Sequence, residues 1–91
     1  MATIDVTPEA REQFDALPKT IKRRVERLVE RLERWPEVSG VKALSGNLAG
    51  RYRARIGDYR LQFQAERPPG ENDWLLTVEK IGHLDGFYDD D

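Results

Sequence analysis

Arg51, Arg53 and Arg55 stand two residues apart, and Arg60 follows just beyond a Gly57-Asp58 pair. A guanidinium group is permanently charged and presents a planar fork of donors, which suits it to phosphate or carboxylate oxygens. Spacing supplies the geometry. Strand residues two apart share a face, so these three arginines project to one side and Tyr52, Ala54 and Ile56 to the other. Gly57-Asp58 reads as a two-residue hairpin turn in which glycine supplies the positive φ. That register sets Ile56 opposite Tyr59, Ala54 opposite Leu61 and Tyr52 opposite Phe63, an apolar face. It also sets Arg55 opposite Arg60, and like charges directly opposed cost about 0.2–1 kcal/mol. A sheet that gathers arginines at that cost is expected to receive an anion.

The elements that must hold this hairpin are legible on either side of it. Ala2, Ile4 and Val6 alternate with Thr3 and Asp5, a short first strand. Thr7-Pro8-Glu9 then starts a helix, with Thr as N-cap, Pro at the first helical position and Glu near the positive end of the dipole. Ala10, Phe14 and Leu17 form its apolar stripe. Leu17-Pro18-Lys19 breaks that helix and begins a second. There Ile21, Val25, Leu28, Val29, Leu32 and Trp35 recur at the helical period, and Pro36 ends it. Its polar face carries Lys22, Arg23, Glu26, Arg27, Glu30, Arg31, Glu33 and Arg34. Spacings of three and four make local pairing the expectation, with a basic RNA- or ribosome-facing surface as the alternative.

Residues 38–48 read as a loop anchored by Val41 and Leu44. The Arg67-Pro68-Pro69-Gly70 stretch reads as an exposed turn. Residues 74–81 form a last strand, apolar enough to be central, and the tail from His83 crosses its end. The order β-α-α-β-β-β predicts an α+β domain, a small, mainly antiparallel, twisted sheet with two helices on one face. Tyr52, Tyr59, Phe63, Trp35 and Trp74 are expected in or over the core.

Composition narrows the function. Ninety-one residues, expected as a single domain over 1–91, leave room for one core layer and no deep cofactor cavity. The absence of cysteine closes disulfide, thiolate-metal and cysteine-nucleophile chemistry, and one histidine closes a multi-histidine metal site. No metal or other cofactor is therefore expected. No run approaches the roughly 18 apolar residues of a membrane span, and the N-terminus lacks the pattern of a signal peptide, so a cytoplasmic location is expected. The net charge of −2 is neutral evidence on nucleic acid, because acid gathers at the C-terminus and base between Lys19 and Arg60.

Three stretches together resemble the RelE/ParE superfamily of toxins from type II toxin–antitoxin pairs. They are Val41-Lys42-Ala43-Leu44-Ser45-Gly46, the block from Gly50 through Leu61, and Ile81-Gly82-His83 with Tyr88 five residues on. The resemblance covers nearly the whole chain and leans to the RelE-like mRNA interferase branch. It implies a RelE-like fold and a small antitoxin that wraps the toxin in a hetero-oligomer. It further implies ribosome-dependent, metal-independent cleavage of mRNA, in which the 2′-hydroxyl attacks the adjacent phosphate. By position, Arg53, Arg55 and Arg60 match the family's basic sheet residues and Tyr88 its C-terminal tyrosine. Arg55, Arg60, Tyr88 and His83 are thus the expected catalytic residues, with Arg51, Arg53 and Lys42 binding RNA phosphate. Imidazole can exchange a proton near neutral pH, whereas tyrosine needs nearby cations to act as a base there. In one place the pattern differs: many relatives have His-Arg where this chain has His83-Leu84. A ParE-like DNA gyrase inhibitor, or an antitoxin-binding module without catalysis, are the alternatives.

Overall fold

The computed structural model describes residues 2–87. Five strands form one open sheet: β1 (Ala2–Val6), β2 (Val41–Ala43), β3 (Arg51–Ile56), β4 (Tyr59–Glu66) and β5 (Trp74–His83). The spatial order is β1-β5-β4-β3-β2, with β1 parallel to β5 and every other pairing antiparallel. Helices α1 (Pro8–Asp15) and α2 (Lys19–Leu32) join β1 to β2, and a four-residue helix, α3 (Leu84–Phe87), follows β5. The α+β mixed sheet agrees with the sequence expectation.

One stretch read as a loop contains an ordered element. Residues 41–43 are strand rather than loop, because β3 offers them an edge: Val41 pairs with Ala54, Lys42 with Arg53 and Ala43 with Tyr52. Three residues are too short for an alternation signal. The tail beyond His83 turns immediately into α3.

Local chemistry sets the helices. The Thr7 hydroxyl accepts from the Ala10 amide at 3.1 Å and Pro8 occupies the first turn of α1. From α2, Val25, Leu28 and Leu32 enter a core with Leu61, Phe63, Leu76, Val78 and Ile81. Trp35, just past α2, sets its ring edge-on to Tyr52 at 4.6 Å and Phe63 at 5.3 Å, pinning the middle strands. Expected local pairing along α2 does not occur. Among the described residues the i,i+4 ion pair is Arg11–Asp15 on α1, at 3.8 Å, and none joins α2 side chains. Surface pairs of long side chains gain too little to hold them together.

Candidate functional site

The hairpin register is the one expected: Arg55 faces Arg60, Ala54 faces Leu61 and Tyr52 faces Phe63. Ala54, Ile56, Leu61 and Phe63 are buried beneath the helices, which leaves the arginines on the opposite, open face. Lys42 pairs with Arg53 from β2, and strand alternation puts it on that face too. Lys42, Arg53, Arg55 and Arg60 together line a recess of about 280 Å³. Four of the seven residues singled out from sequence therefore converge.

Their roles differ with their surroundings. Arg60 is buried at 6% exposure, and its Nη1 donates to the carbonyls of Gly57 and Tyr59, both at 2.9 Å. The turn thus fixes the orientation of this guanidinium. Arg55 and Lys42 are exposed, whereas Arg53 is half-buried with its Cζ 5.5 Å from the Phe87 ring. Arg51 is half-buried and donates through Nε to Glu79 Oε1 at 2.8 Å, which balances its charge locally. It does not line the recess.

A β-bulge completes the face. Gln62 pairs with Lys80 but Phe63 pairs with Val78, so Glu79 is an extra residue in β5. The insertion shifts the alternation by one. Leu76, Val78 and then Ile81 are buried, while Lys80 and Gly82 join the arginine side. Beside the bulge, the Ile81 amide donates to Gln13 Oε1 of α1 at 2.8 Å. Phe87 then folds over this side: a Cβ at Gly82 would lie 3.6 Å from its ring, and Lys80 Nζ sits 4.6 Å from the ring centroid. Lys80 also donates to the Phe87 carbonyl. The sequence reading missed Lys80 and Phe87 because nothing in residues 74–81 announces a bulge.

His83 is not brought to the recess. It pairs with Tyr59, a core-side residue, and the rings meet edge-on at 5.1 Å. Its Nδ1 accepts from the Asp85 amide at 3.1 Å and lies 3.5 Å from Asp85 Oδ2. The Leu84 amide donates to the Asp58 carbonyl at 2.7 Å, tying the start of α3 to the hairpin turn. Tyr88 lies outside the described residues. Among those residues no helix is long and apolar enough to cross a membrane.

An open five-stranded sheet with two helices on one face has clear structural counterparts. The toxin–antitoxin complex RelBE2 from Mycobacterium tuberculosis is 28% identical, with a TM-score of 0.74 over 90% of this chain and 96% of that one. The archaeal RelE–RelB complex from Pyrococcus horikoshii is 25% identical, with a TM-score of 0.71 over 91% of this chain and 94% of that one. The fold is that of RelE/ParE-like toxins. The isolated RelE toxin of Escherichia coli shares the fold at 15% identity and a TM-score of 0.73, covering 91% of this chain and 84% of its own. No protein-family model and no curated protein matches the chain. Within this RelE/ParE-like fold, Lys42, Arg53, Arg55 and Arg60 surround one open cavity.

Proposed function

We propose that the chain is the toxin of a type II toxin–antitoxin pair, a ribosome-dependent endoribonuclease that cuts mRNA without a metal. The observation carrying this reading is the joint lining of one recess by Lys42, Arg53, Arg55 and Arg60. Attack of a 2′-hydroxyl on the adjacent phosphate forms a 2′,3′-cyclic phosphate and breaks the bond to the 5′-oxygen. That oxygen leaves with a proton as the 2′-hydroxyl loses one, and the transition state carries negative charge on the non-bridging oxygens. Guanidinium groups converging on that position stabilise the charge. Arg60 is held in place by the Gly57 and Tyr59 carbonyls. Arg55 supplies the exposed charge, and Arg53 and Lys42 hold the flanking phosphate. Arg51, paired with Glu79, shapes this face more than it binds RNA.

Proton transfer falls to Tyr88, which follows Phe87 in the chain, and Phe87 packs on the cationic side. His83, set against Tyr59, acts in this reading by holding the start of α3 rather than by taking a proton. The antitoxin has a surface of its own. Val6, Phe14, Val29, Leu61 and Val78 line an apolar groove of about 310 Å³ beside α1 and α2, and Val6 is 43% exposed. An amphipathic segment of a small partner fits there without touching the recess.

Induction in a bacterium, with primer extension across translated mRNA, tests the reading. The wild type is expected to produce cuts within codons, and Arg55→Ala to lower cutting on the order of 100-fold, as loss of one such group does elsewhere. Antitoxin binding should be unchanged. Undiminished cutting by a folded Arg55→Ala protein would remove the recess from the reaction. Leu84, in place of the arginine common among relatives, favours a second reading, an antitoxin-binding module that does not cut. Absence of cleavage and of any growth defect on wild-type induction would select it.

A further inference from the structure

Arg55 lines a second recess as well. On the other side of it, at the edge where β3 meets α2, stand Arg24, Arg27 and Arg31, with Leu28 and Ile56 as the apolar floor. Among the described residues no carboxylate lines this cleft, whose volume is about 250 Å³. Helix geometry explains the segregation. At 3.6 residues per turn, Arg24, Arg27 and Arg31 fall within an arc of about 60°, and Glu26 and Glu30 lie roughly a third of a turn away. Glu26 accordingly borders the apolar groove on the other flank of α2. Among the described residues, Arg24, Arg27, Arg31 and Arg55 form no ion pair.

The hairpin turn joins the two recesses. Gly57 has φ +59°, and a Cβ there would stand 3.0 Å from Arg24 Nη1, so the Arg24 guanidinium lies against the turn. On the other side, Arg60 takes the carbonyl of the same Gly57. The sheet edge is open at this point, because β2 pairs with β3 only over Tyr52–Ala54 and leaves the backbone of Arg55 and Ile56 without a strand partner on that side. Arg55 can therefore serve either cavity. Four guanidinium groups with no carboxylate among them repel one another, a cost that binding of an anion removes.

We infer that the cleft between α2 and the end of β3 is a second phosphate subsite, holding the RNA backbone next to the phosphate bound in the first recess, with Arg55 shared between them. This rests on RNA being the ligand of the first recess, and the test separates the two. A fluorescent single-stranded oligoribonucleotide with 2′-O-methyl groups, which cannot be cut, is titrated by anisotropy over a range of salt. Arg24→Gln plus Arg27→Gln is compared with Lys19→Gln plus Lys22→Gln, which removes the same charge from the other flank of α2. Glutamine is a good helix former, so both variants should keep the helix, as circular dichroism would verify.

The cleft variant is expected to bind about tenfold or more weakly at low salt, and its log–log salt slope should fall by about 0.7 for each phosphate that it no longer neutralises. The control should change affinity by less than about twofold. Equal weakening by both variants would mean diffuse attraction and would overturn the subsite. So would an unchanged affinity in the cleft variant while Arg55→Ala binds weakly. Cleavage of mRNA is scored in parallel in a translating extract. A wild type that binds the oligonucleotide through the cleft but cuts nothing would sink the nuclease reading and leave the subsite standing. Cleavage with a cleft variant of wild-type affinity and slope would do the reverse.

Discussion

Arg55 and Arg60 oppose each other across the hairpin yet meet different surroundings, and their substitutions should separate accordingly. Arg60 is buried and its Nη1 satisfies two turn carbonyls, so Arg60→Ala leaves both without that donor. Urea titration should report a loss of about 1–3 kcal/mol. Arg55 is exposed, and Arg55→Ala should lie within about 0.5 kcal/mol of the wild type, since its removal also relieves a like-charge pair. Equal losses in the two variants would mean that Arg60 is not held as described. Both side chains were legible as site candidates from alternation alone. Their difference was not, because burial depends on what the turn does with its carbonyls. Arg51 makes the same point: its acid, Glu79, is 28 residues away, beyond the reach of any local pattern.

At the scale of elements, the bulge in β5 and the turn of α3 decide what surrounds the arginines. With uninterrupted alternation, Lys80 would follow Leu76 and Val78 into the core. The extra residue Glu79 places Ile81 there instead and turns Lys80 outward. Phe87 then covers that side at 3% exposure, held by Gly82, Lys80 and Arg53. Phe87→Ala should loosen α3 with little effect on the remaining fold. Hydrogen exchange at the Leu84 amide, which is bonded to the Asp58 carbonyl, should quicken about tenfold or more, while core amides of β4 keep their protection. A uniform rise in exchange across β4 and α3 would instead make Phe87 part of the global core. The capping of α1, the apolar stripe of α2 and the hairpin register were all readable, because each is fixed by neighbours in sequence. Strand β2 and the bulge were not, because each exists only through its pairing partner.

Across the whole molecule, the charges are sorted rather than balanced. Two cationic recesses meet at Arg55, the apolar groove lies on the other flank of α2, and the core sits between sheet and helices. A ligand that binds the folded form alone raises its stability by mass action, by about 2.7 kcal/mol at a hundredfold excess over Kd. For a domain of this size that corresponds to a melting shift on the order of 10 °C. The uncleavable oligonucleotide should produce such a shift in the wild type and little of it in Arg55→Ala at the same concentration. An equal shift in both would place the bound strand elsewhere. The net charge of −2 hid this arrangement, since a sum carries no position. By itself, the sequence determined the helices, the hairpin and its arginine face, because 3.6- and 2-residue periods and a Gly-first turn act locally. Tertiary structure alone decided which cations share a cavity. That outcome depends on strand order, on one inserted residue in β5, and on the flank of α2 that meets the open end of β3.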